Sequence, residues 1–419
     1  MKTRSRYLII ALVIAVGIAS LVGLTLVNYR YSVQNPGGSD FLPRWVGTRA
    51  FLMTGQSPYS DETTREIQQL FYGRPAHSDE DQVLFVYPFY STIIFAPFAM
   101  IPDFDTARAI WMTTLELSII LIVLAGISLS RWKLSPLMLG VLLIFALLWY
   151  YSIRPLINAN ASILVGLFVM LALLAIRARQ DSWAGLFLVL ATIKPQVVLI
   201  LILFVLIWAI SERRQLIFWS FFGNLALFIA VTSLLIPDWT WQNLRQVLAY
   251  PDYTLPGTPG EIFAQWMPGV GSRLGWGLTI VLIATLIWEW RSTLGKDFRW
   301  FLWTAYFTIA VTSMIGLRTA TENYIVMLPA VLLVFAAWDQ EWGSFGRGLI
   351  AISYLLLFFG VWWLFLATLE LGAQPIQNSV MFFPLPVFLL LGLYWIRWWV
   401  LRPERPLLDQ WRDQRRTIS

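Results

Sequence analysis

The chain has 419 residues, 58% of them hydrophobic and 13% charged, with a formal net charge of +6 and no cysteine; mean hydropathy is +0.66. This composition excludes a water-soluble core for most of the chain, and the lack of thiols excludes disulfides, thiolate metal sites and cysteine nucleophiles. The basic residues fall in short clusters between apolar stretches, which is a pattern of membrane topology and not of a nucleic-acid-binding stripe.

Apolar segments of roughly 17–25 residues recur, matching a ~30 Å hydrocarbon layer at ~1.5 Å rise per residue. They lack strand alternation, and open sheets cannot cross lipid with unpaired edges, so an all-α integral membrane protein is expected. Lys2, Arg4 and Arg6 precede the first apolar stretch. That stretch is longer than a signal-peptide core and has no clean small-residue cleavage site, so it reads as an uncleaved anchor with a cytoplasmic N-terminus. Cytoplasmic clusters are then expected at Arg131/Lys133, Arg177/Arg179, Arg213/Arg214, Arg291/Lys296/Arg299, Arg347 and in a basic tail over 402–419. Working outward from these clusters predicts helices near 7–29, 104–130, 134–152, 160–176, 182–193, 196–210, 215–237, 274–290, 298–317, 323–339, 348–369 and 380–400. The whole chain, 1–419, is thus expected as one polytopic domain of about twelve spans in the plasma membrane, both termini inside.

Two outer loops are expected, 30–103 and 238–273. In the first, Asp40 can N-cap a short helix near 41–54 that carries Pro43 in its first turn and ends at Gly55. Residues 88–102 are apolar but short and bracketed by prolines, as in a juxtamembrane helix at the outer interface. The acidic residues Asp61, Glu62, Glu66, Asp79, Glu80 and Asp81 read as a solvated face, and His77 as a surface residue. The second loop is rich in turn formers, as in Tyr250-Pro251-Asp252-Tyr253 and Leu255-Pro256-Gly257. Residues 182–210 lie between two cytoplasmic clusters but are split at Lys194-Pro195-Gln196, so a hairpin of two short helices turning at Lys194 is expected.

A lysine inside a membrane costs roughly 2.5–3.5 kcal/mol, so Lys194 either snorkels to the interface or faces an anionic headgroup. Arg318 is either a helix-end cation or a group that reaches the same surface. Arg154 is either an interfacial anchor or a third member of one cationic face, which would form a phosphate clamp. Asp40, taken alone, is a helix cap. Beside such a clamp its carboxylate could take the proton of an acceptor hydroxyl during displacement at a sugar carbon. No Walker, dinucleotide or zincin motif occurs, and neither a metal nor a cofactor is expected.

In order along the chain come Asp40-Phe41, then Ala50-Phe51-Leu52-Met53-Thr54-Gly55-Gln56-Ser57-Pro58-Tyr59, Val86-Tyr87-Pro88-Phe89-Tyr90, Ala96-Pro97-Phe98-Ala99-Met100-Ile101-Pro102, and Ala191-Thr192-Ile193-Lys194-Pro195. This series resembles the polytopic GT-C glycosyltransferases and, within them, glycosyltransferase family 87, which includes polyprenyl-phosphate-mannose-dependent α-mannosyltransferases. The resemblance implies a GT-C-like helical bundle whose long first outer loop carries juxtamembrane helices. It implies Asp40 as the catalytic carboxylate and Lys194 near the donor phosphate, where Arg318 and Arg154 are expected to join it. Beside these, Arg44, Tyr59, Tyr87, Asn160, Asn323 and Tyr324 are expected as substrate contacts. The reaction implied is inverting transfer of a sugar, mannose foremost, from a polyprenyl-phosphate donor to a hydroxyl of a glycan, glycolipid or protein acceptor at the outer face. No nucleotide sugar, metal or nucleic acid is implied. The chain departs from the family pattern at Phe89, at Ala159-Asn160-Ala161-Ser162 and at Glu322-Asn323-Tyr324, where some relatives carry a histidine. Two rivals remain: a transporter or flippase with Lys194 as a mid-membrane site, and an O-antigen-ligase-like transferase that relies on arginines and the 238–273 loop.

Overall fold

The computed structural model describes residues 2–78, 80–249, 257–369 and 377–402. Asp79, the Tyr250-Pro251-Asp252-Tyr253 and Leu255-Pro256 turn formers, and the basic tail past Arg402 lie outside the described residues. All regular elements among the described residues are helical.

Helix α1 (Lys2–Gln34) is apolar around most of its circumference and buries none of its most apolar window, as expected of a helix facing lipid. The polar segment after it folds into α2 (Leu42–Thr54), α3 (Asp61–Tyr72), a short turn at Phe89–Ser91 and α4 (Thr92–Ala99). As expected, α2 carries Pro43 in its first turn and stops at Gly55. Helix α5 (Phe104–Leu129) starts where the Asp103 carboxylate accepts from the Thr106 N–H at 2.8 Å. Helices α6 (Pro136–Leu148) and α7 (Tyr150–Ile157) bend by 48° about Trp149. Next come α8 (Ser162–Arg177), α9 (Asp181–Ala191) and α10 (Pro195–Ser211). Arg214, just past α10, hydrogen-bonds Asp181 at the start of α9 (Nε to Oδ1, 3.1 Å). The two helices therefore run as a hairpin that turns at Lys194. The remaining helices are α11 (Gln215–Leu235), α12 (Trp239–Ala249), α13 (Pro259–Trp266), α14 (Gly271–Thr293), α15 (Phe298–Thr312), α16 (Leu328–Tyr354), α17 (Val361–Thr368) and α18 (Pro384–Val400).

By length and apolarity, six stretches qualify to cross a membrane, or seven if α6 and α7 count as one span. About twelve were expected. Part of the difference lies in α8, α9 and α10, of 16, 11 and 17 residues. At 1.5 Å per residue even the longest covers roughly 25 Å, short of a ~30 Å hydrocarbon layer. Another part lies in the stretch Thr321–Thr368, 48 residues counted as one. The rings of Phe335 and Tyr354 are 5.3 Å apart, whereas residues so separated in a continuous helix lie roughly 28 Å apart. The chain reverses at Gly343, whose φ of 52° and ψ of −118° no other residue type adopts comfortably. Two antiparallel arms result, as expected for helices near 323–339 and 348–369.

The bundle core is α8, α15 and the first half of α16, where Phe301 to Thr312 and Leu328 to Trp338 are buried without a break. Helices α11 and α14 bury only 17% and 28% of their most apolar windows and lie at the periphery. The topology sorts charge between two ends. The turns after α5, α8 and α10, the start of α15 and the end of α18 gather Arg131, Arg177, Arg179, Arg214, Arg299 and Arg402 at one end. At the other end, the segment after α1, the α7–α8 junction, the α9–α10 turn and the residues before α16 meet around Asp40.

Candidate active site

Asp40 does not cap α2, which corrects the expectation from its position. The N-cap is Phe41 and no side chain bonds the helix start. The carboxylate instead turns into the bundle. Its Oδ1 accepts from the Tyr87 hydroxyl at 3.0 Å and lies 3.6 Å from Arg44 Nη2. Its Oδ2 accepts from Asn160 Nδ2 at 2.6 Å and from Lys194 Nζ at 3.3 Å.

Helix α5 holds the two segments that make this possible. Arg108, 1% exposed, donates from Nη1 to the Asn35 carbonyl (2.8 Å) and from Nη2 to the Ile157 carbonyl (3.0 Å). One turn on, Trp111 Nε1 donates to the Ala159 carbonyl at 2.8 Å, and its ring stacks on Phe41 with centroids 5.5 Å apart. The Asp40 N–H then reaches the Asn158 carbonyl at 3.2 Å, so the Asp40 and Asn160 segments are tied together directly. Gly38 permits the arrangement. Its φ is +74°, and a Cβ there would lie 3.0 Å from Arg108 Cδ and Nε.

Lys194 occupies the α9–α10 turn because Pro195 starts a new helix. Its ammonium donates to Asn160 Oδ1 at 2.7 Å as well as to Asp40, and it lies 5.6 Å from the Tyr87 ring centroid. It does not snorkel outward: the residue is 5% exposed. Arg44 stands 4.0 Å from the same ring centroid, so the phenol is in contact with two cations. Asn160 also donates to Glu322 Oε2 at 3.4 Å, and Glu322 accepts from Asn158 Nδ2 and lies 3.6 Å from Arg154 Nη2. Asp40, Asn160, Glu322 and the cations Lys194, Arg44 and Arg154 thus form one connected cluster. Asp40 retains 19% of its side-chain surface and Lys194 6%, so the carboxylate is the more open of the pair.

The other expected site residues are placed differently. Arg318 pairs with Glu261 in the first turn of α13, where Thr258 and Glu261 form a capping box. The Tyr59 hydroxyl donates to the Tyr87 carbonyl at 2.6 Å, so it holds Tyr87 from behind. Tyr324 is a core residue, 1% exposed, with its hydroxyl on the Phe382 carbonyl at 3.2 Å. Asn323 donates to Thr319 Oγ1 at 2.9 Å and lines a small crevice with Gln196 and Val197. Sequence reasoning missed Glu322, Asn158 and Arg108 as members or supports of the cluster. The only available signal was a buried-type segment rich in polar side chains, Asn158-Ala159-Asn160, and nothing local marked Arg108. Among the acidic loop residues, Glu80 is tied to Arg74 at 2.7 Å, which lowers its carboxyl to about 2, and Asp81 accepts from the Val83 N–H at 2.9 Å. Among the described residues, no three His, Asp or Glu side chains cluster as metal ligands.

Burial alone would push the Asp40 carboxyl up. Lys194, then Arg44 and the Tyr87 hydroxyl outweigh it and hold Asp40 below its usual 3.8. A depressed carboxylate stabilises the fold above the unfolded value, and that contribution is lost as pH falls through the lower folded value. The stability gap between the wild type and Asp40→Asn is therefore expected to be fully present at neutral pH and to narrow progressively as pH falls through 3.8 and below it. Thermal unfolding across that range checks this; a gap that closes near pH 6 would contradict the ion pair.

A family model described as Glycosyltransferase family 87 matches residues 85–313, more than half of the chain. The matched region includes Tyr87, Arg108, Asn160 and Lys194. No curated protein and no solved structure matches the chain.

Proposed function

The chain belongs to glycosyltransferase family 87, and from that membership we propose that it transfers a sugar, mannose foremost, from a polyprenyl-phosphate donor to an acceptor hydroxyl with inversion. The acceptor is a glycan, glycolipid or protein. The carrying observation is Asp40: it lies just before a helix start that it does not cap, and it is bonded instead to Lys194, Asn160 and Tyr87. A carboxylate not spent on a helix cap, and open over part of its surface, is available for chemistry.

Residues 1–419 then form a single polytopic domain of about twelve spans in the plasma membrane. The positive-inside rule assigns the arginine-rich end and the 402–419 tail to the cytoplasm and the Asp40 end to the outer face. Segments 30–103, with its juxtamembrane helices, and 238–273 become the outer loops.

In the reaction, Asp40 takes the acceptor proton as the acceptor oxygen attacks the anomeric carbon. The bond from that carbon to the phosphate oxygen breaks, and its electron pair stays on the departing polyprenyl phosphate. Lys194, aided by Arg154, stabilises that charge, and a phosphate monoester needs no general acid to leave. Arg318, paired with Glu261 at the start of α13, is the third cation proposed for the donor phosphate. Arg44, Tyr87 and Asn160 contact substrate directly, with Tyr59, Asn323 and Tyr324 behind them.

A carboxylate held by a cation at 3.3 Å is a weak base. A donor phosphate competes for the same ammonium, and as Lys194 turns toward it Asp40 loses its strongest counter-charge and gains basicity. Donor binding would then switch on the base.

Purified protein given radiolabelled polyprenyl-phosphate sugars and a mixed glycolipid acceptor pool should join label covalently to acceptor with inverted anomeric configuration. Translocation of intact donor without transfer would favour a flippase, and retained configuration would refute the single-base mechanism.

A further inference from the structure

At the end of the bundle away from Asp40, the turns after α5, α8 and α10, the start of α15, the end of α18 and the middle of α16 enclose a half-open cavity of about 1260 Å³. That is at or above the upper range of small-molecule sites, roughly 300–1,000 Å³. Its walls are of two kinds. Leu129, Ile176, Trp208, Leu302, Leu333 and Val400 supply apolar surface. Basic side chains outnumber carboxylates seven to three among the lining residues.

Two of the seven are answered locally, Arg214 by Asp181 and Arg299 by Asp297. Arg177, Arg179, Lys296 and Arg402 stand on the same wall, with Glu212 and Glu341 as the other two carboxylates. The carbonyl ends of α5, α8 and α10 balance part of this charge, but they do not account for a void of this size between cationic and apolar walls. A second observation bears on it. Arg131 and Arg179 stand just past helix ends at φ 51° and 58°, left-handed positions where glycine is the unstrained residue. Both line the cavity, while Arg213, at φ 56° past α10, does not; at all three the chain keeps charge against the backbone preference. The sequence over 403–419 holds Arg405, Arg412, Arg415 and Arg416 against Glu404, Asp409 and Asp413, and so carries no negative excess to answer the wall.

We propose that this cavity is a second binding site, distinct from the Asp40 cluster, which takes a phosphate-bearing anion. A phospholipid headgroup is the source its walls fit best. The phosphate is answered by Arg179, Lys296 and their neighbours while the glycerol and upper acyl carbons rest on the apolar floor.

The test uses the full chain in a nonionic detergent, titrated with phosphatidylglycerol, with phosphatidylcholine and, separately, with inorganic pyrophosphate. Bound ligand is read by native mass spectrometry. Phosphatidylglycerol should bind well above phosphatidylcholine, weaken with salt, and lose roughly 10–30-fold in Arg179→Gln/Lys296→Gln, while Asp40→Asn binds it like the wild type. Pyrophosphate binding that is lost in the same double variant, without lipid binding, would support the site and assign it to a soluble phosphate. Equal binding of both lipids with no pyrophosphate binding would overturn the proposal and leave the arginines as topology signals only. An unchanged double variant would overturn it as well. The salt titration of the wild type decides between these outcomes even if the double variant folds poorly.

Discussion

Replacing Asp40 with asparagine is expected to slow transfer by roughly 10²–10⁴-fold, the usual contribution of a positioned general base. The amide keeps the shape and can still bond Tyr87 and Asn160, but it cannot accept the proton. The same change leaves the Lys194 ammonium, 5% exposed, without its carboxylate. Breaking a buried ion pair from one side costs about 3–5 kcal/mol, so lost activity must be separated from lost fold. The double variant Asp40→Asn/Lys194→Met removes both charges and should recover most of the stability while regaining no activity. Initial rates and thermal unfolding measured on the same preparations distinguish the two effects. Normal turnover by Asp40→Asn would place the base elsewhere in the cluster.

Lys194→Met is expected to lower kcat by about 10²–10³-fold, the range found when one preorganised donor to a developing negative charge is removed. The donor phosphate carries less charge before the bond breaks than after, so the lysine acts more strongly on the departing group than on bound donor. kcat should therefore fall more than KM rises. A donor linked through pyrophosphate, a better leaving group, should recover part of the loss in Lys194→Met and none in Asp40→Asn. Because the two residues are bonded at 3.3 Å, their effects on rate should not add. The double variant is expected to be little slower than the slower single variant. Full additivity would mean that they serve separate steps, and a rise in KM alone would reduce Lys194 to a donor-binding contact.

Much of the architecture was legible because its signals are local. Helix α5 was expected over 104–130 and spans Phe104–Leu129, since Pro102-Asp103 and Arg131 bracket an unbroken apolar run. The hairpin at Lys194 followed from two basic clusters flanking too many apolar residues for one short span and too few for two full ones, with a proline at the break. The reversal near Gly343 followed from polar residues between two apolar runs. The number of full-length spans was less legible, because hydropathy counts apolar residues and does not register where turns cut them into helices of 16, 11 and 17 residues, as at α8, α9 and α10.

The cluster around Asp40 divides along the same line. Asp40 and Lys194 stand out in the sequence because a carboxylate beside a membrane helix and a lysine inside one are both costly in lipid. Their partners carry no such mark. Asn160 and Glu322 are ordinary polar residues at helix starts, and Arg108 resembles any interfacial arginine until its guanidinium is seen joining the Asn35 and Ile157 carbonyls. Tyr59, Tyr324 and Arg318 look like site residues by motif and position, yet packing turns them to a backbone carbonyl, the core and Glu261. Sequence by itself determined a multi-pass helical membrane protein, most of its helix boundaries and its two anomalous charges, because hydropathy, prolines and basic clusters act over a turn or a span. Only the tertiary structure decided that residues 40, 87, 160, 194 and 322 meet, since contacts across such chain distances are set by how helices pack and not by any local preference.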